Sequence, residues 1–329
     1  MNIIRAALAT LAMLLISAPL ARAQEPAPQQ YEAMMRWAGA HQNILQGALA
    51  PFQQMPPPFD ESSVGQRTAW VSLARTWASS TLAAVQSARR QAEQLGPPPE
   101  AGELSGLYRT QERAIYEVFG SIEAFLVEYT TSIIAIERND PNALQLASIS
   151  SIDAQLIIQT QFRNINAIQA EAVGEGPQRH LLRAFASSYD GLITMLQARR
   201  SAYLGDDATG PRAPLVRASA DAMRLHVQAG RASVTQTLTS FGAGAPPEQG
   251  DFIRRARIAV QSFEGSYDRE LRIAGLFDDA AALMASGRGY IAIEGELNTI
   301  VAQMGILDSE RLVDIQRRIQ LMQYITPPT

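Results

Sequence analysis

The sequence predicts an all-α protein made of two tandem up-and-down four-helix units with long, coiled-coil-like helices. Three observations carry that prediction. Apolar residues recur three, four and seven apart over long stretches, and almost no stretch alternates as a strand would. Pro, Gly and Asn fall between those stretches, where helices stop. One half of the chain also returns in the other at an offset of about 148 residues.

Residues 1–23 read as a signal peptide. Met1 to Arg5 is a basic start, Ala6 to Leu20 an apolar run, and Ala21-Arg22-Ala23 a small-x-small cleavage pattern. Cleavage after Ala23 makes the mature chain periplasmic or secreted. The apolar run is too short for a comfortable membrane span, and no stable span is expected in the mature chain. There is no cysteine, so the exported chain must be stabilised by packing alone. All 28 basic residues are Arg, planar multi-donor groups suited to bridging carboxylates between helices. Loss of Arg5 and Arg22 with the leader takes the net charge from −4 to −6, a balance that disfavours nucleic acid as a partner.

Residues 24–29 are a Pro-rich lead-in, and 30–173 form the first unit. Its first helix carries Met34, Trp37, Ala38, Ile44, Leu45 and Ala48, and ends at Pro51 and Pro56-Pro57-Pro58. Asp60 or Ser62 can cap the second, which carries Trp70, Leu73, Ala74, Trp77, Ala84 and Ala88 and stops at Gly96. In the third, Tyr108, Ile115, Ile122, Tyr129 and Ile136 recur every seven residues. Leu104, Val118 and Phe125 fill the complementary row with polar Gln111 and Ser132, which is the seam of a left-handed bundle. Asn139 stops this helix, and Asp140-Pro141 starts a fourth that runs to about Val173.

Residues 174–177 are a junction, and 178–325 form the second unit. Its fifth helix runs through Leu181, Phe185 and Leu192 to Tyr203, and Gly205 to Pro214 reads as a loop. The sixth helix carries Leu215, Val216, Met223, Val227 and Val234. After the loop Gly242 to Gly250, the seventh spans about Phe252 to Ser286, stopped by Gly287. The eighth spans Tyr290 to Tyr324, bent near Gly305 or restarted at Asp308, before a short tail, 326–329.

The repeat is clearest where Ile149 to Ile158 returns as Leu297 to Ile306. Ile152/Ile300, Ala154/Ala302, Gln155/Gln303 and Ile158/Ile306 are identical. Loops make the stronger case, because helix periodicity cannot align them. Pro98 to Leu104 meets Pro246 to Phe252 with four of seven positions identical. Gln155 and Gln303 flank the apolar seam and are expected to hydrogen-bond between helices.

No catalytic residue stands out. There is no Gly-x-Ser-x-Gly elbow and no cysteine nucleophile. None of His41, His180 and His226 has a Glu three positions before it, so the di-iron pattern of helical bundles is missing. No metal site and no cofactor are expected. Trp70 and Trp77 are the first binding candidates: they share one helix face, and the second unit has no Trp. The competing reading makes them core residues, with Val216 and Met223 in their place in the second unit. Arg254, Arg255 and Arg257 are the second candidate, cations at a helix start that oppose the helix dipole and suit an acidic or phosphate partner.

His41 lies in Gly39-Ala40-His41-Gln42-Asn43-Ile44. This resembles the start of the Gly-x-His-x-x-Glu motif of imelysin-like periplasmic proteins, which are also duplicated helical bundles. Ile44 stands where that motif has Glu, which removes the carboxylate ligand. The leading functional expectation is an exported, non-enzymatic binding or scaffold protein that engages another envelope protein or component. An imelysin-like ligand or metal carrier and a membrane-active helical protein are the alternatives. The sequence does not give the oligomeric state.

Overall fold

The computed structural model describes residues 28–59, 65–99, 103–240 and 250–323. The signal peptide, most of the lead-in, the cap at Asp60 or Ser62, the centres of the two matching loops and the tail lie outside the described residues. Among the described residues the chain is all-α. Eight helices follow in order: α1 Pro28–Leu49, α2 Arg67–Leu95, α3 Glu103–Arg138, α4 Pro141–Ala172, α5 Pro177–Tyr203, α6 Thr209–Ser240, α7 Gly250–Met284 and α8 Tyr290–Gln323. A 3-10 turn, Ala50–Gln54, follows α1.

Most helix ends sit where local chemistry puts them. Asn139 takes a positive φ of 50° directly after α3. The Asp140 carboxylate accepts the Ala143 amide at 2.8 Å and caps α4. Two expectations are corrected. The stretch Gly205 to Pro214 is not all loop, because α6 begins at Thr209. The Asp207 carboxylate accepts the Thr209 amide at 3.0 Å, Pro211 falls in the first turn, where a lost amide donor costs little, and Pro214 is carried inside the helix. The eighth helix is neither broken nor restarted at Gly305 or Asp308. It runs unbroken, since two isolated glycines, Gly295 and Gly305, within 34 residues of otherwise helical sequence are tolerated.

The chain divides into two compact units, and the division falls inside α4, between Gln161 and Phe162. The end of α4 belongs with the later helices because Phe162 stacks on Tyr189, 5.7 Å between ring centres, and Ala170 joins the cluster of Leu181, Phe185 and Tyr267.

In the unit up to Gln161, α1 packs on α2 and α2 on α3. The α2–α3 pair is antiparallel, as the ion pairs Arg75–Glu137 and Arg89–Glu123 show. Tyr108, Ile115 and Ile122 of the expected seam are buried, with Phe119, Leu126 and Ile133 beside them. The α3–α4 contact is polar: Ser151 donates to Glu128 at 2.7 Å, Ser150 to Thr131 at 3.2 Å, and Ser121 to Gln161.

The unit from Phe162 holds α5 to α8, each packed on the next, with α8 returning to α5. Arg224 to Asp278 and Arg231 to Asp268 make α6–α7 antiparallel. Two glycines set the packing distance. A Cβ on Gly191 would lie 2.6 Å from the Phe277 ring, and one on Gly230 would overlap the Tyr267 phenol. That phenol donates to the Pro177 carbonyl at 2.6 Å. At one end of this unit Asp207 accepts the Tyr290 amide at 2.8 Å as well as the Thr209 amide, so one carboxylate caps both α6 and α8. Those hydrogen bonds, led by the Thr209 hydroxyl, hold its pKa below the usual carboxylate range.

Candidate functional site

Trp70 and Trp77 lie on α2, seven residues apart, and face a cluster of aromatic rings. Trp77 meets Phe52 edge-on at 5.5 Å and Tyr129 at 5.0 Å. Trp70 meets Phe59 at 5.5 Å and Tyr129 at 6.5 Å. Phe125 stacks on Tyr129 at 6.0 Å and touches Phe52 at the same distance. Both indoles donate to the segment between α1 and α2: Trp77 Nε1 to the Pro51 carbonyl at 2.9 Å, and Trp70 Nε1 to the Pro57 carbonyl at 2.8 Å. Trp77 is buried and Trp70 is partly exposed. The two candidates therefore hold a loop, and the sequence reading of an isolated Trp pair missed Phe52, Phe59 and Tyr129 around them. The Tyr129 hydroxyl is buried without a hydrogen-bond partner, and burial raises its pKa.

Arg254, Arg255 and Arg257 are exposed near the start of α7, and each interacts with other residues. One expectation drawn from polar residues, the bridging role of Gln155 and Gln303, changes. His41 is fully buried in the helix packing, its ring 4.0 Å from Trp37. A carbonyl can only accept, so His41 Nδ1 donates to the Trp37 carbonyl at 3.1 Å, leaving Nε2 buried and without a partner. Burial lowers the His41 pKa, so the imidazole is neutral. No group of three His, Asp or Glu side chains able to hold a metal occurs among the described residues. Gln155 bonds back to Ser151 on its own helix at 3.3 Å, and Gln303 is exposed, so this pair is not the interhelical bridge expected of it. A side chain leaves a helix in a fixed direction, so flanking a seam is not enough to reach a neighbour.

The structure assembles a buried ionic cluster that spacing alone could not reveal. Arg311 of α8 grips Glu270 of α7 through two hydrogen bonds, 3.1 Å from Nε and 2.7 Å from Nη2. Its Nη1 reaches Asp308 at 2.8 Å, and the guanidinium lies 4.0 Å from the centre of the Phe185 ring. Arg269 pairs with Glu310 and Asp314. Burial pushes the Glu270 carboxyl up against the pull of Arg311. Burial, and then Asp308, push the Tyr189 phenol far above its usual range. Each of these charges has at least one partner of opposite sign within the cluster, which makes it a packing device.

A groove of about 620 Å³ opens beside it, lined by Arg272, Gly275, Leu276, Asp278, Asp279, Gln303, Ile306 and Leu307. Ile306 also belongs to an exposed, uncharged side of α8 that includes Ile291, Ala302 and Val313. The residue 148 positions earlier, Ile158, is 6% exposed, whereas Ile306 is 63% exposed. Comparison with known protein families, curated proteins and solved structures finds no match to this chain.

Proposed function

We propose that the chain is an exported, non-enzymatic helical-bundle protein that acts as a periplasmic adaptor and binds another envelope protein. The observation that carries this reading is the α7–α8 groove continuous with the uncharged side of α8. An exposed apolar stripe beside a groove is the surface into which an amphipathic helix lays its apolar face. Asp278 and Asp279 at its edge fit a partner helix that carries basic residues beside its apolar stripe. The test is site-specific photo-crosslinking from position 306 in the native periplasm. The reading expects one discrete partner, lost in Asp279→Arg and retained when exposed Leu225 on α6 is changed to Asp. Crosslinks that survive Asp279→Arg, or reproducible turnover of a substrate by the purified chain, overturn it.

A second reading, a membrane-active helical protein, is favoured by one observation. Over Tyr108–Arg138, α3 is long and apolar enough to cross a membrane. Against it, Glu123 and Glu128 interrupt the apolar run, and Glu128 accepts a hydrogen bond from Ser151. Liposome flotation decides it: the membrane reading requires the chain to float with vesicles.

A further inference from the structure

We propose that the aromatic face formed by Trp70, Trp77, Phe125 and Tyr129 is a polyproline-binding site, occupied in this structure by the chain's own segment 50–59, and that its ligand in trans is a proline-rich strand of another protein. The site is distinct from the α7–α8 groove and does not depend on it.

After the 3-10 turn Ala50–Gln54, residues 55–58 of the occupant have the backbone of a polyproline ligand. Met55 sits at φ −58° and ψ 128°, within the polyproline II region, and three prolines with fixed φ follow it. A polyproline II helix has three residues per turn, so positions 56 and 59 share a side. The burial follows that period: Pro56 is buried, Pro57 and Pro58 are exposed, and Phe59 is half-buried against Trp70. The Trp70 indole N–H donates to the Pro57 carbonyl within that stretch at 2.8 Å, and the Trp77 indole N–H to the Pro51 carbonyl in the 3-10 turn before it at 2.9 Å. Aromatic walls combined with indole donors to carbonyls are how proline-rich strands are recognised, because such a strand is already ordered and leaves its carbonyls open.

The fit in cis is incomplete. Of three polar donors on the face, the segment satisfies two, and the Tyr129 hydroxyl stays buried and unpartnered. A strand in better register could offer it a carbonyl, which gives a ligand in trans something to gain over the tethered segment. The tether supplies the segment at an effective concentration on the order of millimolar, so the intact chain should bind such a ligand weakly.

The experiment is titration calorimetry on the full chain with a synthetic peptide of residues 50–59. In Pro56→Gly with Phe59→Ser the tethered segment loses its grip. This variant should bind the peptide at least about tenfold more tightly than the intact chain does. Adding Trp70→Phe, which keeps a ring and removes the donor, should weaken that binding about fivefold, the worth of one hydrogen bond. A peptide with Ala in place of the three consecutive prolines should bind at least about tenfold more weakly. The proposal is overturned if the released chain binds no tighter than the intact one, or if the Ala peptide binds equally well. Should the double variant lose its helical far-UV signal, Phe59→Ser alone takes its place, and either of those two results overturns the proposal there as well.

Discussion

In the unit that begins at Phe162, the Phe185 ring lies 4.0 Å from the Arg311 guanidinium, and Arg311 holds a buried Glu270. The residues 148 positions earlier are Trp37, Arg163 and Ile122. Ile122 is buried and apolar, and no carboxylate waits there for a cation. Arg163, just past the division in α4 and so within the later unit, turns outward instead and meets Asp190 at 3.4 Å on the surface. Trp37 packs against His41 and Tyr108 and donates to the Gly96 carbonyl at 3.1 Å. A guanidinium stays inside only where a carboxylate accompanies it, because each charge alone would bear its full desolvation cost. One unit is therefore held at this level by ions, and the other by aromatic rings and tryptophan N–H donors.

The largest expected effect tests that rule. Glu270→Ala leaves Arg311 inside without its main partner and should cost about 3–5 kcal/mol in chemical denaturation. Glu270→Leu combined with Arg311→Met adopts the apolar solution of the other unit and should recover to within about 1 kcal/mol of the parent. If the double variant is as unstable as Glu270→Ala, the cluster does more than balance its own charges.

Next come the glycines. Gly230→Ala drives a methyl into the Tyr267 ring and should cost about 1–3 kcal/mol. Gly120→Ala in α3 meets only the movable end of Gln161, and it gains helix propensity, so it should lie within about 1 kcal/mol of the parent. Equal losses at the two positions would erase the difference in packing between the units.

Acid gives a smaller handle. Burial holds the His41 pKa below its ordinary 6.5, so the unfolded chain takes up the proton first. The stability that neutral His41 contributes is complete above about pH 6.5 and drains away as the pH falls below it. His41→Phe should flatten the acid slope measured for the parent between about pH 7 and 5. Smallest of all, Arg75→Ala removes the exposed pair with Glu137 and should cost less than about 1 kcal/mol in the same denaturation assay, far below the loss at Glu270.

Much of the fold was legible because it is written locally. The heptads of α3, Asn139, Asp140-Pro141 and Gly287 mark helices and their ends through short-range rules. The start of α6 was misread because Pro211 and Pro214 signal a loop unless the cap at Asp207 is seen, and that cap is a side-chain contact that spacing does not show. The candidate site was half legible. Trp70 and Trp77 stood out by type and spacing, but their partners Pro51 and Pro57 looked like a helix terminator. Glu270 and Arg311 lie 41 positions apart, and no periodicity joins one buried acid to one buried base. The exposure of Ile306 was hidden for a different reason: Ile158 sits in a matching stretch of sequence, and burial is decided by what packs above each residue.

Asp207 has one more consequence. Its carboxylate holds the first amide of α8, 83 positions away, while it holds the head of α6. Neither loop can fray without loosening the other. In hydrogen exchange, the amides at the heads of α6 and α8 should share one opening free energy, and Asp207→Ala should lower both together.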